Sequence, residues 1–207
     1  MALVSQGIVR TFDPPVTVHL LDPMNDSVTT QTIPLGPAAS QIAIEQLGTN
    51  GGGLYNVNIA HPLENSTPPS NLLEMVALIL IPSALCCTFG VMVKDTRQGW
   101  AVLAALAIIL VPLGVGTLMA EQAGTPALAA AGASLAAGEL PAGYNMEGKE
   151  LRFSIVDRAL WSTATTAASN GAVNAMHQSF SPIWGIGSHL ADAAWRNRAR
   201  WRRKRIW

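Results

Sequence analysis

The glycine-rich stretch Leu47-Gly48-Thr49-Asn50-Gly51-Gly52-Gly53 decides the interpretation of this sequence. It follows a short helix-compatible run, residues 38–46, which at about 1.5 Å rise per residue is far too short to cross a bilayer. A fainter copy, Ala168-Ser169-Asn170-Gly171-Ala172, follows a second such run at 160–168. Because glycine tolerates backbone dihedrals that other residues avoid, a turn of this kind can direct several carbonyl groups at one point. We therefore expect both copies to bind a cation through the backbone.

Asparagine and histidine follow each copy, which indicates that one structural motif occurs twice in the chain. Asn56, Asn58 and His61 follow the first copy, and Asn174 and His177 follow the second. On spacing alone, an ion pathway and a plain glycine-rich loop are equally good interpretations. The two histidines have no partner at metal-ligand spacing, so we predict hydrogen-bonded structural residues rather than zinc ligands.

The composition around these turns is that of a membrane protein. Of the 207 residues, 49% are hydrophobic and 13% are charged, against about 25% charged in ordinary soluble domains. Residues 75–93 and 100–120 are uncharged runs, each long enough to cross a hydrocarbon core of about 30 Å. The short loop 94–99 can join only antiparallel neighbours. The sequence therefore predicts a transmembrane helical hairpin between the two glycine turns.

Charge suggests how this hairpin is oriented. The loop carries Lys94 and Arg97 against Asp95, whereas the flanking stretches 13–74 and 121–157 are mainly acidic. By the positive-inside tendency, the loop is predicted to face the cytoplasm and the glycine turns the outside.

Irregular backbone at membrane depth survives only where protein buries it or where it lines a water-filled cavity. Carbonyl groups at the end of a half-helix carry partial negative charge, and a ring of carbonyls can replace the hydration shell of an ion. These properties favour a selectivity filter for a monovalent cation. A P-loop is not favoured, since residues 48–53 are not followed by the Lys and Ser or Thr of that motif.

Other residues are expected to have structural roles. The β-prone runs 16–21 and 28–33, separated by the turn-rich segment 22–27, predict a hairpin outside the membrane. Adjacent Cys86 and Cys87 in the first span are predicted to pack as small apolar residues without a disulfide. Glu74, placed in the opening turn of that span, is assigned a role at the membrane interface in preference to ion relay.

The C-terminal tail differs in composition from the rest of the chain. Residues 195–207 hold seven of the thirteen Lys and Arg residues, interleaved with Trp. This shift predicts a reading-frame change and hence a truncated or split gene product. Contact with anionic lipid is the first alternative for the tail, and nucleic-acid binding the second.

Several motifs resemble the potassium-binding A subunit of the Kdp potassium-transporting P-type ATPase. The resemblance covers about residues 3–182 and is carried by stretches 36–53, 56–68, 145–153 and 165–177. It implies an α-helical membrane protein with potassium-channel-like helix–pore-loop–helix repeats and a small extracellular β-hairpin near the N-terminus. The repeats are incomplete, because the chain holds two filter strands where the family pattern needs four.

The resemblance also implies a division of the chain. The segments are an extracellular segment with the hairpin (1–36), a pore helix, filter and following loop (37–71), a transmembrane hairpin (72–120), an extracellular segment with the second pore helix and filter (121–182), and the divergent basic tail (183–207). The ion-binding residues implied by the family are Thr49, Asn50, Gly51, Gly52 and Gly53 in the first filter strand, and Ser169, Asn170 and Gly171 in the second.

The function implied by the resemblance is K⁺ uptake. The subunit is non-catalytic and passes extracellular K⁺ to a partner P-type ATPase subunit that hydrolyses ATP, with small accessory subunits and membrane lipid as further partners and no nucleic acid. Its location is the inner (plasma) membrane of a bacterium or archaeon, as a multi-pass protein. The alternative is a membrane-anchored interaction protein with a basic lipid-binding tail, in which the glycine stretches are only turns.

Overall fold

A computed structural model describes residues 1–24, 28–55, 57–124, 132, 149 and 152–181. The helices are α1 (Ala2–Ser5), α2 (Ala38–Gly48), α3 (Pro68–Met92), α4 (Thr96–Ala123) and α5 (Ile155–Ala168), the strands are β1 (Val16–Met24) and β2 (Val28–Ile33), and a 3₁₀ turn spans His177–Ser179. Asn56 and the predicted tail 183–207 lie outside the described residues.

Helices α3 and α4 form the predicted hairpin. They have 25 and 28 residues and are long and apolar enough to cross a membrane. Both are longer than the uncharged runs, because caps extend them: Thr67 accepts from the Ser70 amide at 3.2 Å, and Asp95 accepts from the Arg97 amide at 3.0 Å. The placement of Glu74 in the opening turn of the span was wrong, since α3 begins at Pro68 and Glu74 lies buried in its second turn.

The two long helices approach most closely at glycines near their connection. A Cβ on Gly99 would lie 2.7 Å from the carbonyl oxygen of Cys86, and one on Gly90 would lie 3.2 Å from the Cα of Gly99. Backbone therefore contacts backbone at the start of α4. Cys86 is buried and Cys87 is exposed, and neither forms a disulfide bond in the described part of the chain.

Large apolar side chains on the outer faces of α3 and α4 are exposed. They include Leu72, Leu80, Leu85 and Val91 on α3, and Trp100, Ile108, Val111 and Met119 on α4. Such faces suit a hydrocarbon environment.

Strands β1 and β2 form an antiparallel pair. The register runs from Val16 opposite Ile33 to His19 opposite Thr30 and becomes irregular between His19 and Met24. Strand β1 extends past the predicted run 16–21, and its turn residues 25–27 lie outside the described part of the chain.

The core lies where the two short helices meet. Its buried members are Ile8, Ala38, Ala39, Ile42, Ile59, Trp161 and Ala172. The indole nitrogen Nε1 of Trp161 donates to the carbonyl oxygen of Ala172 at 2.9 Å. Helices α2 and α5, together with the segments that follow them, therefore share one packed centre beside the long hairpin.

Candidate cation-binding site

Helices α2 and α5 end in the same way. Their last helical residues are followed by Thr49 and Ser169 in the left-handed conformation, with φ of 52° and 56°. The same two backbone hydrogen bonds close each end. At the end of α2, Thr49 N donates to Gln46 O and Asn50 N donates to Glu45 O, both at 3.3 Å. At the end of α5, Ser169 N donates to Thr166 O at 3.2 Å and Asn170 N donates to Thr165 O at 2.9 Å. This pair of bonds is a Schellman motif. The sequence repeat is therefore also a structural repeat.

The two glycine turns are in direct contact. Gly51 has a φ of +63°, and a Cβ at this position would lie 2.5 Å from the carbonyl oxygen of Asn170 and 2.7 Å from the amide nitrogen of Ala172. Just beyond the turns, Val173 N donates to Asn58 O at 2.7 Å. The structure thus brings together the two sets of residues that the sequence assigned to one site, 49–53 and 169–171.

The equivalent asparagines of the two turns have different surroundings. Asn170 is buried; its Nδ2 donates to Glu45 O at 3.2 Å, and its Oδ1 accepts from Ala172 N at 2.7 Å. Asn50 is exposed, and its Nδ2 lies 3.4 Å from the carbonyl oxygen of Gly51. Asn170 therefore fixes the second turn to the end of α2.

Two buried carboxylates lie behind the first turn. A Cβ on Gly52 would lie 2.9 Å from Oε1 of Glu45, and one on Gly53 would lie 3.0 Å from both carboxylate oxygens of Glu64. Glu64 is fully buried and accepts from the backbone amides of Leu54, Tyr55 and Ile59. Sequence reasoning missed both acids. The available signal was that Glu64 is the only charged residue between Glu45 and Glu74.

Burial raises the pKa of Glu45 above its ordinary value; the hydrogen bond from Gln41 Nε2, at 2.8 Å, opposes this shift and the charge of Glu64 adds to it. Oε2 of Glu45 has no hydrogen-bond partner within the described ranges. Glu74 on α3 is also buried, and neither of its carboxylate oxygens is hydrogen-bonded to a described residue.

A buried amide network joins the second turn to the start of α3. The side-chain oxygen of Asn71 accepts from Asn65 Nδ2 at 2.9 Å and from Asn174 Nδ2 at 3.0 Å. Ser70 Oγ donates to the side-chain oxygen of Asn65 at 2.8 Å. Asn174, which the sequence repeat predicted to be important, thus holds the second unit (α5 and the segment after it) against the first unit (α2 and the segment after it).

The two histidines have structural surroundings. His61 stacks on Tyr55 with ring centroids 4.3 Å apart, and its Nδ1 accepts from Leu63 N at 3.1 Å. His177 contacts Phe180 edge to face at 6.2 Å, and burial lowers its pKa. Within the described ranges, no group of three His, Cys, Asp or Glu residues is arranged to hold a metal ion.

Two cationic side chains connect distant parts of the chain. Lys149 Nζ lies 2.6 Å from Oε2 of Glu121 at the end of α4, both side chains being 1% exposed, and it also donates to Ser179 O at 2.8 Å. Arg152 donates to the carbonyl oxygens of Ala60, at 2.7 Å, and Asn65. The segment before α5 is therefore anchored both to α4 and to the loop that follows the first turn.

The profile of the family described as Potassium-transporting ATPase A subunit matches residues 1–193. The chain belongs to this family. As a member with two helices long and apolar enough to cross a bilayer, it is a helical membrane protein.

Individual A-subunit relatives are closely similar. Proteins named potassium-transporting ATPase potassium-binding subunit are 58% identical over 190 residues in Herpetosiphon aurantiacus and 61% identical over 188 residues in Sorangium cellulosum, covering 90% and 89% of this chain. That of Methylococcus capsulatus is 53% identical over 210 residues and also covers 90%. The chain spans about a third of the length of these relatives: 33%, 32% and 34%, respectively.

Proposed function

We propose that this chain acts within the potassium-binding subunit of an ATP-driven, high-affinity K⁺ uptake system, with its paired turns forming part of the selectivity filter. The observation that carries the proposal is the contact of Gly51 with the backbone of Asn170 and Ala172, which leaves no room for a side chain. In this proposal, the two turns at the ends of the two short helices supply backbone carbonyl oxygens to a shared ion.

The physical chemistry of these turns favours a monovalent cation. The carbonyl ends of α2 and α5 carry partial negative charge, and the buried acids behind the first turn add to it. Backbone carbonyls can replace the water around K⁺ and, being neutral, also allow the ion to leave. The ion-binding residues in this proposal are Thr49, Asn50, Gly51, Gly52 and Gly53 with Ser169, Asn170 and Gly171.

Membership of the family supports the rest of the proposal. Each unit is a helix–pore-loop–helix repeat of potassium-channel type, and further repeats complete the ring around the ion. The glycine turns and the β-hairpin face the extracellular side of an inner (plasma) membrane. The bound ion passes to a P-type ATPase catalytic subunit that, with small accessory subunits, performs the hydrolysis. The names of the relatives favour this function over a membrane-anchored binding protein with a lipid-binding tail.

Ion-dependent stability of the 207-residue chain, purified in detergent, tests the proposal. A ligand that binds only the folded state raises stability by about 2.7 kcal/mol at roughly 100 times its Kd. We expect KCl to raise the melting temperature more than NaCl or choline chloride at equal ionic strength. Equal melting temperatures in the three salts would contradict cation binding by these turns.

A variant at the contact provides the specific test. Gly51→Asp places a side chain against the Asn170 carbonyl and should abolish the difference between KCl and NaCl. Leu21→Asp adds the same charge at a fully exposed position of β1 and should keep that difference.

Growth of a bacterial strain that lacks its own K⁺ uptake system provides a second test. The chain, co-expressed with the remaining repeats and the ATPase subunits, should restore growth at low K⁺. Gly51→Asp should remove this rescue.

A further inference from the structure

We infer that Glu45 sets the cation affinity of the paired turns through the negative charge of its carboxylate. This inference rests on the proposed function and adds to it a residue that is not itself an ion ligand. It arises from the position of Glu45, whose main chain is bonded to both turns and whose side chain lies against one of them.

The main chain of Glu45 holds the residue at a fixed distance from both turns. Its carbonyl oxygen accepts from Asn50 N at 3.3 Å, in the first turn, and from Asn170 Nδ2 at 3.2 Å, in the second. A charge on this residue therefore cannot move independently of the two turns.

The side chain directs that charge at the filter backbone. The three atoms nearest to a Cβ built on Gly52 all belong to the Glu45 carboxyl group, Oε1 at 2.9 Å, Cδ at 3.3 Å and Oε2 at 3.7 Å. Gln41 Nε2 donates to Oε1 at 2.8 Å and so fixes the rotamer. The residue is 6% exposed, which reduces the screening of its charge by water.

Within the described residues, no cationic side chain donates a hydrogen bond to the carboxylate of Glu45. Glu64 differs in accepting three backbone amides, whereas Oε2 of Glu45 has no hydrogen-bond partner in the described part of the chain. Lys149 is paired with Glu121, and Arg152 donates to carbonyl oxygens. A buried carboxylate without a cationic partner is costly, so a cation in the turns would supply the missing counter-charge.

The experiment separates charge from shape at this position. K⁺ titrations monitored by melting temperature are made at pH 8 on the full chain in detergent, for the wild type, Glu45→Gln, Glu45→Asp and the control Asp13→Asn. Glu45→Gln keeps the size and the acceptor for Gln41 but loses the charge, so we expect its apparent K⁺ affinity to fall by about tenfold, equivalent to about 1.4 kcal/mol. Glu45→Asp keeps the charge and should stay within about threefold of the wild type. Asp13→Asn removes one exposed charge and should titrate as the wild type does.

A purely structural role predicts the opposite order of K⁺ affinities, with Glu45→Gln near the wild type and Glu45→Asp impaired. This result would overturn the inference.

If Glu45→Gln does not fold, variants of Gln41 provide the test. Gln41→Arg neutralises the Glu45 carboxylate in place and should weaken K⁺ binding. Gln41→Met removes only the hydrogen bond and should weaken K⁺ binding less. Equal titrations of these two variants would also overturn the inference. Absence of a K⁺ response in the wild type overturns the proposed function and this inference together, whereas a wild-type response unchanged in Glu45→Gln overturns only the inference.

Discussion

At the scale of single residues, the site depends on backbone conformations that most side chains disfavour. Thr49 and Ser169 both carry a Cβ in the left-handed region, each at a cost of about 1 kcal/mol. Such strain persists only where the surrounding structure determines the conformation. Here the determining contacts are the Schellman bonds and the packing of one turn on the other. At position 51 a neighbouring backbone occupies the space of a side chain, so glycine is required there.

Gly51→Ala should separate the two turns. Its Cβ would overlap the Asn170 carbonyl, so we expect a lower melting temperature and loss of K⁺-dependent stabilisation. Gly7→Ala is the matched comparison outside the site: φ there is +90°, and the nearest atom to the added Cβ is Ser66 Oγ at 3.9 Å. It should show backbone strain alone, about 1–2 kcal/mol. Equal loss in both variants, by thermal unfolding with and without K⁺, would mean that the contact contributes nothing.

His177 should make the stability of the second unit sensitive to acid. Burial lowers its pKa in the folded chain, whereas the unfolded chain keeps a value of about 6.5. Below that value the unfolded state binds more protons, so the free energy of unfolding decreases as the pH falls from 7 towards 5. His177→Gln should flatten this dependence in unfolding experiments over that range. His19→Gln, at an exposed position of β1, should retain it.

At the scale of elements, helix ends were predictable where the residues act locally. The end of α5 at Ala168 matches the predicted boundary, because a glycine turn follows it. The start was missed: α5 begins at Ile155, where Ser154 and Asp157 form a capping box. The predicted run 160–168 was the helix-compatible stretch next to the turn, and the capping box at 154–157 lies outside it.

The stability of the α3–α4 hairpin should change in opposite directions when alanine replaces a glycine that has open space around it and a glycine at the helix crossing. Replacing glycine by alanine inside a helix normally stabilises it, by about 1 kcal/mol. Gly116→Ala should show this gain, since no atom lies within 4 Å of the added Cβ. Gly99→Ala should instead destabilise, because its Cβ would lie 2.7 Å from the Cys86 carbonyl. Melting temperatures in detergent that change in the same direction for both would contradict the close crossing.

At the scale of the whole molecule, sequence reasoning identified the two turns and the membrane hairpin but not the connections between them. The turns are repeated motifs, and the spans are long uncharged runs, so both are visible locally. The bonds from Arg152 to Ala60 and from Asn170 to Glu45 cross about 90 and 125 residues of chain. Such pairings depend on how the elements pack, and single residues without periodicity give no signal of them. Of the two acids behind the first turn, Glu45 was missed for the same reason, whereas Glu64 stands out as the only charged residue between Glu45 and Glu74.

The ion pair of Lys149 and Glu121 should be the strongest of these long-range connections. Removing one partner of a buried pair leaves the other charge uncompensated, which typically costs about 3–5 kcal/mol. We therefore expect Lys149→Met to lower the free energy of unfolding by that amount and to release the 3₁₀ turn, whose Ser179 carbonyl accepts from Lys149. The double variant Lys149→Met with Glu121→Gln removes both charges but keeps an acceptor for the Ser181 amide, which lies 2.7 Å from Oε1 of Glu121. The double variant should regain much of the free energy of unfolding that Lys149→Met loses, as measured by reversible denaturation in detergent. A double variant as unstable as Lys149→Met alone would show that packing around the lysine, and not the stranded carboxylate, accounts for the effect.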